Sequence, residues 1–196
     1  MNSSGSFPLI HSNNPVLPWP GVLTAIKHPN SKVRWEKTRF NVVLETLYEP
    51  FLSLEISTLL DQALQQWTSA SRGKILFVLN PSSNPSDAKS SDADIRIIGS
   101  TAVTLGRDYE VGHTDRIIKN NQIHKATITL IADPVIDKTL NHSQRQHRLL
   151  ATLLHEVGHA IGLEHSTNPQ DNMFYRGWTR TQLGIGDIRQ IQLYYP

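Results

Sequence analysis

The chain contains no cysteine among its 196 residues, and this absence limits the chemistry that it can perform. Without cysteine there is no disulfide framework, no thiolate metal site and no cysteine nucleophile. Any bound metal ion must therefore be held by histidine, aspartate or glutamate side chains. The absence leaves the cellular compartment open, because a protein without thiols tolerates either redox state.

Long hydrophobic runs and clusters of one charge are also missing. No apolar run approaches the length of a membrane span, so the sequence predicts no insertion into a membrane. The first residues, MNSSGSFPLIHSNNPVLPWPG, lack the basic start and the apolar stretch of a secretory signal. Lys and Arg total 19 against 17 Asp and Glu, with no basic run, which argues against a nucleic-acid partner.

The length suits one globular domain with at most a short extension. Residues 1–34 are rich in Pro, Asn and Ser, and we interpret them as an irregular N-terminal arm that Trp19 and Val22 partly anchor. A disordered tail is the alternative interpretation of this segment. Residues 35–196 are the predicted domain, and they contain no internal repeat.

Hydrophobic periodicity in the first part of the domain predicts one helix and several strands. The helix is expected to be capped by Ser53 and to run to Trp67, because its apolar residues recur at three- and four-residue steps. Residues 100–124 are expected to be loops with one poor strand. The predicted strands are Arg39–Leu44, Lys74–Leu79, Asp94–Ile98 and Ala126–Ile131.

The last third of the chain predicts a long helix and a short closing one. Ser143 and Gln146 fit a capping box, in which each side chain satisfies a free backbone donor at the start of a helix. We expect this helix to run to about Ile161, where Gly162 ends it. Asp187 to Gln192 then predict the closing helix.

The long helix carries the motif that points to chemistry. His155 and His159 are four residues apart, so they project from one helix face within reach of a single ion. Gly162 can adopt a positive φ and turn the chain, which lets His165 return as a third ligand. Three imidazole nitrogens leave a fourth position for water, the arrangement of a catalytic zinc site.

Glu156 is the predicted general base of this site. It follows His155 directly and leans toward the open side of the metal, where it can take the proton of the zinc-bound water. Zinc would also act as a Lewis acid on the attacked carbonyl. Chemistry of this kind hydrolyses an amide bond without a covalent intermediate.

The residues from His155 to His165, HEVGHAIGLEH, resemble the zinc signature of the metzincin metallopeptidases. Ser166 after the third histidine, and Met173 eight residues beyond that histidine, resemble the matrixin branch and its Met-turn. The resemblance extends weakly over about residues 35–195, and its specific part lies within the zinc-site block 143–175.

The resemblance implies a zincin-like α+β fold. It would have a twisted, mostly parallel five-stranded sheet, two main helices and a small C-terminal subdomain with the closing helix. An extended peptide or protein substrate would pair with the antiparallel edge strand, best matched by Ala126–Ile131. Residues 174–182 would form the wall of a side-chain pocket. The metal site would hold one zinc ion on His155, His159 and His165.

The sequence departs from the matrixin pattern in the Met-turn. Matrixins usually carry Tyr and then Pro after the methionine, whereas Phe174 and Tyr175 follow Met173 here. The Met-x-Tyr order resembles the astacin and serralysin branches instead. Tyr175 is therefore a candidate zinc ligand or oxyanion stabiliser, and a tyrosine packed on the turn is the alternative.

The family's additional metal sites are poorly matched. His113, Asp115 and His124 could form a second small site, although plain loop residues are the favoured interpretation. The aspartates in the predicted loops are compatible with a calcium site but do not indicate one. Because the chain has no cysteine, residues 1–34 cannot act as the family's usual cysteine-containing propeptide lock.

The leading functional hypothesis is a zinc endopeptidase that acts as a monomer. One alternative is a zinc hydrolase of a non-protein amide or ester bond, and another is a non-catalytic binding module on the same fold. The intact Glu156 and histidines argue against the binding module. The family resemblance implies an extracellular protein, although no signal peptide is visible.

Overall fold

A five-stranded sheet and three helices make up the part of the chain that the computed structural model describes, residues 33–45, 55–81, 92–101, 111–132, 138–175 and 179–196. The interpretation of residues 1–34 as an arm therefore lies almost wholly outside the described residues. In chain order the elements are β1 (Arg39–Leu44), α1 (Ile56–Ala70), β2 (Leu76–Pro81), β3 (Ile95–Thr101), β4 (Gly112–Lys119), β5 (Gln122–Ala132), α2 (His142–Ala160) and α3 (Ile185–Tyr194).

The sheet has the strand order β2-β1-β3-β5-β4, and β4 alone is antiparallel to its neighbour. Asn120 and Asn121 join β4 to β5 with φ of 50° and 64°, the conformation that a tight hairpin turn requires. This topology confirms the expected α+β fold with a mostly parallel five-stranded sheet. None of the described helices is both long and apolar enough to span a membrane.

The assignment of the edge strand was wrong. The sequence indicated Ala126–Ile131, but β5 lies inside the sheet between β3 and β4. The antiparallel edge strand is β4, in the segment that was expected to be mostly loop. Its residues are largely exposed or half-buried, so it lacks the strong apolar alternation that reveals a buried strand.

Two helix starts also differ from the prediction. The capping box of α2 is formed by Asn141 and Gln144, two residues before the expected pair, with the Gln144 backbone N–H donating to Asn141 Oδ1 at 2.9 Å. The cap of α1 is Glu55 in a left-handed conformation with no side-chain cap bond, and not Ser53. Strands β2 and β3 begin one or two residues later than expected and extend further.

The core lies between the sheet and the two long helices. The indole of Trp67 on α1 is fully buried and donates to the Leu154 carbonyl of α2 at 2.9 Å. Strands β3 and β5 contribute Ile95, Ile97, Ile128 and Leu130, all fully buried. The helix that carries the histidine motif is therefore held on both sides by packed apolar side chains.

Candidate active site

Three histidine side chains converge at the end of α2. The Nε2 atoms of His155 and His159 lie 3.1 Å apart, and each lies 3.2 Å from Nε2 of His165. Among the described residues this is the one group of three potential metal ligands close enough to share an ion. His155 and His159 come from successive turns of the helix, whereas His165 returns from the loop that follows it.

Backbone carbonyls fix the orientation of the two helical histidines. Nδ1 of His155 donates to the Asn172 carbonyl at 2.8 Å, and Nδ1 of His159 donates to the Leu163 carbonyl at 2.9 Å. A neutral imidazole that donates from Nδ1 presents a lone pair at Nε2. Both rings are thus held in the tautomer that binds a metal ion through Nε2.

The cluster fits zinc. A tetrahedral ion with Zn–N bonds of about 2.0–2.1 Å separates its nitrogen ligands by about 3.3–3.4 Å, close to the observed spacing. Without a cation, the lone pairs of His155 and His159 would face each other at close range. Burial lowers the pKa of His155 to about 4 and lowers the pKa values of His159 and His165, so the three rings are neutral at pH 7.

The end of α2 is anchored from outside the helix. Gly162 has φ of +104°, and a Cβ on it would come within 2.7 Å of the Val33 carbonyl. The last helical carbonyls are satisfied by distant side chains: Trp35 donates to Ala160 at 2.7 Å and Tyr195 donates to Ile161 at 2.8 Å. These contacts fix the point at which the chain turns toward His165.

Met173 and its neighbours support the histidines from below. Met173 is fully buried against Gly158, where a Cβ would come within 2.3 Å of its sulfur. Asp187 on α3 accepts hydrogen bonds from the backbone N–H groups of Asn172 at 2.6 Å and Met173 at 3.1 Å. The carbonyl that orients His155 thus belongs to a turn that α3 holds in place.

Glu156 on α2 is 6% exposed, and its side chain lies against the edge strand β4. Its Oε2 accepts a hydrogen bond from Thr114 Oγ1 at 2.6 Å. A Cβ at Gly112 would come within 2.8 Å of Glu156 Cγ and of Thr152 Cγ2, so β4 approaches α2 closely only because residue 112 is glycine. The predicted base is therefore confined by the strand.

A cleft of about 340 Å³ opens over the histidines along β4. Arg116 crosses part of it, donating from Nη2 to Glu164 Oε1 at 2.9 Å, with Nη1 3.5 Å from the His159 carbonyl. The lining residues are Val111, Gly112, His113, Thr114, Arg116, Thr152, His155, Glu156, His159, Glu164, His165 and Tyr175. All five predicted site residues, Tyr175 included, thus line one cleft.

The suggested second metal site is not assembled. His113 Nε2 lies 3.2 Å from Asp115 Oδ1, but His124 lies on β5 beside the residues that pair with Ile117 and Ile118, further along the hairpin. The favoured interpretation as plain loop residues is wrong about the element, because His113 and Asp115 lie on β4 and His124 lies on β5. Of the pocket wall expected over residues 174–182, residues 176–178 lie outside the described residues.

Sequence reasoning missed the contacts that orient the site. Thr114 and Gly112 fall in a segment without a clear strand pattern, and Asn172 acts through its backbone carbonyl, which any residue type would supply. Arg116 belongs to no recognisable sequence motif. The buried carboxylate of Asp187 was visible only as a polar residue near the start of the closing helix.

Comparison with known proteins agrees with this geometry. The sequence profile of the matrixin family of peptidases matches residues 34–196. A protein of Trichoplusia ni ascovirus 2c that carries the provisional name matrix metalloproteinase is 44% identical over 61 residues. That alignment covers 30% of this chain and 12% of the viral protein, so this chain spans a small part of the relative's length.

Proposed function

Because the chain belongs to the matrixin family of zinc-dependent metallopeptidases, we propose that it is an endopeptidase that cleaves peptide bonds within extended segments. The observation that carries this proposal is the convergence of three imidazole nitrogens and one buried carboxylate in a cleft beside a sheet edge. The cleft runs along the strand, so a substrate would extend past the histidines in both directions.

His155, His159 and His165 would hold the zinc ion through Nε2. When bound, zinc lowers the pKa of a coordinated water toward about 7 and polarises the scissile carbonyl. Glu156 would accept the proton of the attacking water and pass it to the leaving amine. Its position, adjacent to His155 in sequence and within the same cleft, supports this role.

Strand β4 would bind the substrate backbone. Among the described residues it pairs only with β5, so its other edge presents backbone N–H and C=O groups along the cleft. Backbone pairing gives affinity with little dependence on sequence, and a side-chain pocket then supplies selectivity. Substrate pairing is therefore assigned to β4 and not to its neighbour β5, which the sequence had indicated.

Tyr175 would stabilise the oxyanion that develops during attack. It lies two residues after Met173, is 50% exposed and lines the same cleft as the histidines. A phenol at the rim of a metal site can donate a hydrogen bond to a developing negative charge. Coordination of the metal by the phenol is the alternative role.

Cleavage of a mixed peptide library by the purified chain tests the proposal, with bound zinc counted by atomic emission. The wild type should cut internal bonds, a chelator should abolish cutting, and Glu156→Ala should bind one zinc per chain but lose at least about 10³-fold in turnover. Zinc binding without cutting of any peptide would contradict the endopeptidase assignment. Release of product from a non-protein amide or ester instead would support the alternative zinc hydrolase.

A further inference from the structure

The carboxylate of Glu156 is held by a side chain outside the histidine motif. Thr114 on β4 donates from Oγ1 to Glu156 Oε2 at 2.6 Å, and the same hydroxyl lies 3.1 Å from the Glu156 backbone carbonyl. Thr114 and Glu156 both line the cleft that the histidines line. The hydroxyl therefore touches the proposed base at its functional group and at its backbone.

Alternation along β4 puts three residues on the face that contacts α2. Gly112 lies against Glu156 and Thr152, Thr114 bonds Glu156, and Arg116 reaches the His159 carbonyl. Successive residues of a strand point to opposite faces, so these three contacts arise from one strand in one register. A shift of the register by one residue would remove all of them.

We propose that Thr114 is a positioning residue for the general base. By holding Oε2, its hydroxyl fixes the rotation of the carboxylate and hence the location of Oε1. A free glutamate side chain samples several rotamers, whereas threonine on a strand is restricted at χ1 and offers its hydroxyl from a nearly fixed point. This inference rests on the proposed function, because the hydrogen bond from Thr114 has a catalytic role only if Glu156 is the general base.

The contact also links substrate binding to the alignment of the base. In the proposed mode the substrate pairs with the backbone of β4, and the side chain of the same strand holds Glu156. The strand that positions the substrate is therefore the strand that positions the base, which lowers the reorganisation needed before attack. We therefore expect the contact between Thr114 and Glu156 to raise kcat and to leave KM nearly unchanged.

Kinetics of three threonine variants test the proposal. Thr114→Val keeps the shape of the side chain but removes the hydroxyl, and it should lower kcat about ten-fold with KM changed less than two-fold and with one zinc retained per chain. Thr114→Ser should restore kcat to within about three-fold of wild type. The matched control is Thr127→Val on the neighbouring strand, which should leave both parameters unchanged. An unchanged kcat in Thr114→Val would overturn the proposal.

A second measurement needs neither zinc nor activity. In chelated protein, Thr114→Val should lower the melting temperature by about 3–6 °C, and the same change in a Glu156→Ala background should have less than half that effect. If the two substitutions lower the melting temperature additively, Thr114 and Glu156 do not interact and the proposal is overturned. If the wild type cleaves no peptide, the proposed function fails and the catalytic role of Thr114 fails with it, whereas this thermal cycle still reports the contact separately.

Discussion

Backbone groups of individual residues, and one buried carboxylate, determine how the rings of the histidine motif are oriented. The Asn172 carbonyl orients His155 through Nδ1, and the Asn172 N–H is in turn held by Asp187 at 2.6 Å. The Leu163 carbonyl does the same for His159. Outer partners of this kind fix the tautomer and raise the precision of a metal site. Two backbone carbonyls and one buried carboxylate thus orient the imidazole rings.

Tyr175→Phe tests the proposed oxyanion role at the residue scale. Removing one donor from a developing oxyanion costs about 10²–10³-fold in turnover. Because this phenol is half exposed, we expect a smaller loss, about 10–100-fold in kcat. Steady-state kinetics on a cleaved peptide would show the loss with KM nearly unchanged. Tyr194→Phe, the same change on α3, is the control. Full turnover in Tyr175→Phe would end the oxyanion hypothesis.

The histidine cluster could be predicted because it depends on local geometry. Residues four apart on a helix share a face, and a glycine that ends the helix permits the return of His165, so spacing alone brings the three rings together. Thr114 and Asp187 could not be predicted, because their roles depend on contacts across 42 residues and 15 residues of sequence. No local pattern encodes such contacts.

At the scale of elements, the position of β4 at the edge of the sheet could not be predicted from hydrophobic periodicity. Alternation in Ala126–Ile131 correctly predicts a strand with one buried face, but it carries no information about lateral neighbours. The true edge strand contains Gly112, His113, Asp115 and Arg116, a composition that resembles a loop. Edge strands are commonly polar because polar residues discourage pairing with other chains.

Gly112→Ala tests the close approach of β4 to α2. The added Cβ would come within 2.8 Å of Glu156 Cγ and Thr152 Cγ2, so either the strand or the base must move. We expect kcat/KM to fall about 10–100-fold while bound zinc stays at one per chain. Adding Thr152→Ser removes one of the two clashing atoms and should recover part of the loss. Wild-type kcat/KM in Gly112→Ala would contradict the proposed confinement of Glu156.

At the scale of the whole molecule, the site depends on both ends of the described chain. The Val33 carbonyl lies against Gly162, Trp35 caps the end of α2, and Tyr195 reaches the adjacent carbonyl. The family profile likewise spans residues 34–196. We propose that residues 35–196 are the catalytic domain, with the Val33 carbonyl as an additional contact at the end of α2.

The metal-free protein should lose stability in mild acid. Burial lowers the pKa of His155 from 6.5 to about 4, so the unfolded chain binds a proton in a pH range where the folded chain does not. The free energy of unfolding should therefore fall as the pH drops from about 6.5 to about 4, by at most about 1.4 kcal/mol per pH unit for this one group. Denaturant titrations with a chelator present would measure this slope. A His155→Gln variant with the same slope as wild type would contradict the prediction.

Titration of zinc into metal-depleted protein tests the central claim most directly. The rate of peptide cleavage should rise linearly with added zinc and stop rising at one equivalent per chain. Under the same conditions His165→Ala, which lacks one of the three nitrogens, should need a large excess of zinc to recover any activity. Cleavage by the metal-depleted wild type, or an equal zinc requirement in His165→Ala, would contradict a catalytic zinc site built on His155, His159 and His165.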